Sequence, residues 1–373
     1  MFMGRVLLRN IKNKMNKILY IHNANFNSIN ANKLQVMNMC NAFVENSCEI
    51  SLVSFGDLDF VKDNYLFNYN IKLKLLNSKS NYYFRTIKLV FNTLSNKKYD
   101  LIFTRDLVYT FLIKLLKPNV NIIYELHEIK KNILWKFIFD LVFRKINNLV
   151  VISNGLKNEL VSLGFNSKKI TVLHDGVDFK KFDVDLSRSE ARKVLNLNVD
   201  EKIVLYIGSF QNWKGYKTFL DSSENNLNPK VKFYCIGGGE NQITYLENKY
   251  PEVIFREFVN TNLVPVWLKA ANVLVIPNSG KFEISRYYTS PLKLFEYMAS
   301  KTPIVASDLP SIRDVVSEDD VLFFEADNPN DLFKKIQSIL KVDEFEKIEV
   351  PNSFKKVKKY TWENRAKEIL NLI

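Results

Sequence analysis

The chain has 373 residues, 47% hydrophobic and 25% charged, which points to two domains and excludes a disordered or collagen-like chain. Its 11 glycines exclude a Gly-rich chain, and three cysteines without C-x-x-C spacing (Cys40, Cys48, Cys235) fit a reducing cytoplasm rather than a disulfide scaffold or zinc site. The net charge of +13 is uneven: residues up to His174 hold 25 Lys and Arg against 11 Asp and Glu, the remainder 28 against 29.

Residues 1–14 are basic with only a brief apolar run and no small-residue cleavage site, so they read as an extension rather than a secretory signal. From Lys17 short β-branched runs alternate with amphipathic stretches. KILYIH reads as a strand, NKLQVMNMCNAFVEN as a helix with Leu34, Met37, Cys40 and Val44 on one face, and CEISLVS as a second strand. YDLIFTR, NIIYEL and NLVVIS follow as strands, and KITVLHDGVD closes the half. DVDLSRSEARKVLNL is a polar, helix-prone connector. The rhythm then restarts with KIVLYIGS, KVKFYCIGG, EVIFREF, NVLVIPN and TPIVASD as strands separated by helices.

Such alternation implies parallel βαβ units. The expected fold is α/β, with two Rossmann-like, doubly wound parallel-sheet domains facing a cleft. The expected boundaries are 15–180 for the first domain and 181–355 for the second, with 356–373 a helix packing back toward the first. Ligands of open α/β sheets sit at the carboxyl ends of strands. No stretch has the roughly 20 apolar residues that a membrane-spanning helix requires; the most apolar, Asn132 to Phe143, is broken by Lys136 and Asp140.

The strongest chemical signal runs from Tyr287 to Val315. Ser290 is a favourable N-cap and Pro291 suits a first helical position, with Leu292, Phe295 and Met298 as an apolar stripe. A loop feeding free N–H groups into a helix start is a ready anion site. Thr289 and Ser290 add hydroxyls for a phosphate, and Glu296 can accept from ribose hydroxyls. A capped amphipathic helix with nothing bound is the alternative reading of the same residues.

The stretch YYTSPLKLFEYMAS resembles the nucleotide-sugar helix of the group 1 retaining glycosyltransferases with the GT-B fold. The resemblance extends from Met15 to Ile373 and includes YIGSFQNWKG, VLHDGVD and YTWENRAKEIL. It implies that Glu296 binds the donor ribose. The family's other glutamate, which contacts the donor sugar, falls on Tyr288. Lys214 matches a lysine on the donor diphosphate, while Ser209 stands where the family has an arginine. The loop at Gly238 and the strand end at Phe258 and Val259 resemble the segments near the nucleotide and its base. His127, in YELHEIK, matches a histidine near the scissile bond, where it can orient a hydroxyl or stabilise charge. Arg105, Asn30 and Asn32 are acceptor-side candidates. The implied donor is a UDP- or GDP-sugar, used without a metal or further cofactor. The implied acceptor is a glycan or a lipid-linked sugar, in surface polysaccharide or glycolipid biosynthesis.

Two other classes fit parts of the pattern. A nucleotide-sugar epimerase shares the architecture but wants further acid–base groups. Ser209 and Tyr288 would also suit a catalytically silent nucleotide- or glycan-binding protein. Asp57 and Asp59 form an Asp-x-Asp pair in the wrong architecture for a metal site, and His127-Glu128 lacks a second histidine four residues on. The basic half suggests an anionic partner, although a lysine-rich genome bias would also add charge. No nucleic-acid motif accompanies it. The segment from Ile129 to Ile146 interleaves Lys130, Lys131, Lys136, Arg144 and Lys145 with Ile133, Leu134, Trp135, Phe137, Phe139 and Phe143. That pattern suits either an interfacial helix or a core helix with snorkelling lysines. The expected location is cytoplasmic, with peripheral docking on an anionic inner leaflet.

Overall fold

Valine-, isoleucine- and phenylalanine-rich runs become strands because their branched or flat side chains pack well on a pleated surface. The computed structural model describes residues 16–65, 67–77, 80–95, 99–130, 132–341 and 352–373; the expected extension 1–14 lies outside them. One sheet holds β1 (Lys17–Asn25), β2 (Glu49–Phe55), β3 (Lys72–Leu76), β4 (Leu101–Thr104), β5 (Ile122–Leu126), β6 (Asn148–Val151) and β7 (Ile170–Val172), in the order 3-2-1-4-5-6-7. The other holds β8 (Lys202–Ile207), β9 (Val231–Gly238), β10 (Val253–Glu257), β11 (Val273–Ile276), β12 (Ile304–Ser307) and β13 (Leu322–Phe324), in the order 10-9-8-11-12-13. The pairings are parallel, for example Leu19 with Ser51 and Leu205 with Tyr234. This is the expected pair of doubly wound sheets.

Two strands were not among those read from the sequence. β3 alternates Lys72 and Lys74 with Leu73 and Leu75 at a sheet edge, where charge protects an exposed rim. β13 has only three residues. The NKLQVMNMCNAFVEN helix forms over Ala31–Glu45, but its buried side is turned from the expected stripe: Met37 and Cys40 are buried with Val36, Met39 and Phe43, while Leu34 and Val44 are only half-buried.

The chain divides into two compact units, residues 1–123 with 373, and 124–372. In the first, Leu19, Ile21, Val53 and Ile102 pack with Leu89, Tyr109 and Ile113 from the helices. The Tyr109 hydroxyl is satisfied by Thr93 at 2.7 Å. In the second, the two-residue period of β8 builds two layers. Ile203, Leu205 and Ile207 join a core with Leu294, Phe295 and Met298. Val204 and Tyr206 join another with Phe219, Phe233 and Cys235. Strand order reverses between β8 and β11, the place in an open α/β sheet where ligands bind.

Candidate functional site

The loop after β8 is shaped by two close backbone approaches and by one glycine packed on an aromatic ring. Gly208 has φ +153°, and Gly237, at φ +117°, lies so near that a Cβ on it would sit 2.6 Å from the Gly208 carbonyl oxygen. Gly215 is left-handed at φ +68°, and its Cβ would fall 1.7 Å from the Pro277 carbonyl oxygen after β11. A Cβ on Gly238 would meet the Phe210 ring at 2.4 Å. A side chain has no room at these contacts, which bring the end of β9 against the end of β8 and the loop after β8 against the residue after β11.

That loop delivers Lys214, whose Nζ donates to Ser209 Oγ at 2.7 Å and lies over the Trp213 ring. Burial lowers its pKa, and the nearby Glu296 carboxylate opposes that shift. The helix Leu292–Ala299 carries Glu296 and, three residues earlier on the same face, Lys293. Burial pushes the Glu296 carboxyl up to about 7, while Lys181, Lys293 and Lys214 pull it back through space. Lys293 is lowered to about 7, first by burial and then by repulsion from Lys214. Its Nζ is shielded from solvent, has no hydrogen-bond partner among the described residues and stands 4.3 Å from the Tyr206 ring centroid. One carboxylate thus feels three cations through space, a balance of charge that favours an anion carrying hydroxyls.

The sequence reading did not single out Lys181 or Lys293. Lys293 left a signal, its three-residue spacing from Glu296. Lys181 lies on the short helix Phe179–Phe182, and only the tertiary fold brings it near.

Ser290 and Pro291 behave differently from expectation. The helix starts at Leu292, Pro291 occupies the N-cap and no side chain caps it. Ser290 Oγ instead accepts from the Asp175 N–H at 2.8 Å, which ties this loop to the HDGVD segment. Tyr288 ends a π-helix, Ile284–Tyr288. Burial raises its phenol pKa, and a hydrogen bond to Glu159 raises it further. The Tyr287 carbonyl accepts from Ser153 Oγ at 2.7 Å, and a Cβ on Gly155 would lie 2.2 Å from that oxygen. Thr289 is half-buried, Phe258 is exposed, and Val259 packs on the core beside β8.

His127 follows β5, and its Nε2 is 2.5 Å from Glu125 Oε1. Glu125 is fully buried and its other oxygen accepts from Arg365 Nη2 at 2.8 Å. Arg365, on the helix Trp362–Leu370, also donates to the His174 carbonyl. A buried, paired carboxylate thus fixes one imidazole nitrogen and with it the orientation of the ring. In the first unit, Asn30 caps the helix Ala31–Glu45 by accepting from the Lys33 N–H, and Arg105 Nη1 donates to Asn32 Oδ1 at 3.0 Å. Asp57 caps the helix Leu58–Asn64 by accepting from Phe60 N–H, a structural duty that explains it without a metal.

Comparison with known proteins bears on this geometry. Residues 201–342 match the family described as glycosyl transferases group 1, and residues 34–181 match glycosyltransferase family 4. An uncharacterized glycosyltransferase of Methanocaldococcus jannaschii is 27% identical over 237 residues, 60% of this chain and 59% of the relative. A processive diacylglycerol alpha-glucosyltransferase of Acholeplasma laidlawii is 22% identical over 58% of this chain and 66% of its own. The matched part thus spans less than two thirds of each of these relatives. The Anabaena protein HepE, solved with UDP-glucose, superposes with a TM-score of 0.75 at 15% identity, covering 96% of this chain and 100% of that one.

Proposed function

We propose that this chain is a group 1 glycosyltransferase of the GT-B fold, transferring a sugar from a UDP- or GDP-sugar to a glycan or lipid-linked acceptor. The transfer retains the anomeric configuration and needs no metal ion, and it serves surface polysaccharide or glycolipid synthesis at the cytoplasmic membrane face. The observation that carries this reading is the half-buried Glu296 carboxylate within electrostatic reach of Lys181, Lys214 and Lys293, with Lys293 running along the bare Cα of Gly208 at the end of β8.

Each part has a physical task. Glu296, acceptor-only when ionised, takes hydrogen bonds from the ribose diol. Lys214 and Ser209 meet the diphosphate, whose charge grows as the glycosidic bond breaks. A preorganised cation there lowers the barrier because it needs no rearrangement when the charge appears. Thr289 and the N–H groups at the start of the helix Leu292–Ala299 supply further donors. His127, fixed by Glu125, orients a sugar hydroxyl. The acceptor hydroxyl attacks from the face the diphosphate leaves, and the departing oxygen takes its proton, so no protein nucleophile is required. The HepE complex with UDP-glucose and the lipid acceptor named for the Acholeplasma relative support the donor and acceptor classes.

Incubation with labelled UDP- and GDP-sugars and a membrane-lipid extract tests the reading. A new glycosidic bond of unchanged anomeric configuration, formed equally well with chelator present, is expected. A rearranged sugar nucleotide would identify an epimerase instead. Nucleotide binding without any product would leave a silent binding protein.

A further inference from the structure

We propose that Lys293 is a second diphosphate cation, supplying from the helix Leu292–Ala299 the positive charge that Ser209 does not bring to the β8 loop. The inference rests on the nucleotide-sugar reading above and deepens it.

The placement is specific. A Cβ built on Gly208, the residue just before Ser209, would lie 3.1 Å from Lys293 Cδ and 3.2 Å from its Nζ. The lysine chain therefore runs along the bare Cα of Gly208 and sets its ammonium beside the Ser209–Lys214 pair. Nothing in the fold uses that ammonium as a donor: it is out of solvent and makes no hydrogen bond among the described residues. Its surroundings are the Tyr206 ring face, the Cys235 thiol, Lys214 and Glu296. A buried cation without a partner is destabilising, and an apolar side chain of the same length would fill the space at less cost. Retaining a lysine there makes sense if an anion completes the site. The charges also match: Lys181, Lys214 and Lys293 against Glu296 leave an excess of two positive charges, and the diphosphate diester of a sugar nucleotide carries two negative ones.

The test is binding of UDP and GDP by calorimetry, and of uridine and guanosine by ligand-observed NMR, to the full chain. In Lys293→Met the better diphosphate should bind at least 10-fold more weakly, while its nucleoside stays within about twofold. Adding Ser209→Arg to Lys293→Met should restore most of the lost diphosphate affinity, because the charge returns to the same place by another route. Lys293→Gln, which keeps a polar tip, serves if the Met variant does not fold. Wild-type protein that prefers the diphosphate to the nucleoside, with both variants unchanged, would overturn the role of Lys293 and leave the nucleotide-sugar reading standing. Equal losses for diphosphate and nucleoside would also overturn it, since that pattern marks a structural lysine. Wild-type protein that binds none of the four ligands would instead sink the reading on which the inference rests.

Discussion

Glu296 and Lys293 hold opposite charges three residues apart, yet burial drives both toward neutrality near pH 7. The sign of the linkage differs between them. Glu296 is raised from 4.5 to about 7, so the folded chain binds the extra proton in that window, and the stability it contributes is lost as pH rises through about 7. Lys293 is lowered from 10.5 to about 7, so its contribution is present above 10.5 and is lost as pH falls through about 7. Both charges are thus electrostatically costly to the fold at neutral pH. Lys293→Met and Glu296→Gln should each raise the ligand-free Tm at pH 7 by roughly 2–6 °C, about 1–2 kcal/mol, while weakening nucleotide binding. Scanning calorimetry without ligand checks this; a lower Tm in both variants would show that the two charges stabilise the fold. The proposed roles require Glu296 ionised and Lys293 charged, so affinity should peak near pH 7 and fall on both sides. Glu296→Gln should lose the acid limb. Lys214→Ala removes a donor that strengthens as the leaving group gains charge, and kcat/KM should fall by roughly 2–4 kcal/mol of transition-state stabilisation. Unchanged kinetics in a folded Lys214→Ala protein would remove it from the site.

The elements explain why these side chains converge. Lys214 is placed by a turn that depends on Gly215, whose φ of +68° and contact with Pro277 leave no room for a Cβ. Gly215→Ala must therefore displace the loop, with a loss of about 3 kcal/mol or more in stability or a matching loss of diphosphate affinity. Chemical denaturation read beside calorimetry separates the two, and an Ala variant normal in both would show that the turn is not needed. The central strands were legible because their apolar runs are long and bounded. Glu296 and Lys214 stand out in the sequence as candidates because each sits in a contiguous motif. What escaped the sequence depends on distance along the chain. Arg365 meets Glu125 across 240 positions, and Lys181 reaches Glu296 only after the fold closes. Ser290 has the residue type of a helix cap, but the Asp175 N–H claims its oxygen, a competition that local propensity cannot show. β3 escaped because an edge strand with alternating lysines resembles a solvated loop in composition.

Over the whole molecule, charge and exposed apolar surface raise the question of where the acceptor is met. No helix among the described residues is long and apolar enough to cross a membrane. In the second unit, the helix Ile133–Lys145 buries Phe139, Val142 and Phe143 but leaves Ile133 89%, Leu134 66% and Phe137 61% exposed. Lys130 and Lys136 are exposed beside them; Lys131 lies outside the described residues. In the first unit, the helix Tyr82–Ser95 separately exposes Tyr83, Phe84, Ile87 and Phe91, with Lys88 also in solvent. The later turns of the Ile133 helix are core, as the core reading expects, and its first turns face water. Apolar side chains flanked by lysines bind anionic bilayers through area burial together with about 1 kcal/mol per basic residue near the surface. We expect co-sedimentation with vesicles containing anionic lipid, weakening as salt screens the charges. Lys130, Lys131 and Lys136 changed together to Gln should reduce binding roughly tenfold or more. Ile133→Ser with Phe137→Ser should reduce it even at low salt, where electrostatics alone would suffice to hold an unmodified chain. Equal recovery on neutral and anionic vesicles would assign these helices to another partner and make a soluble glycan the acceptor.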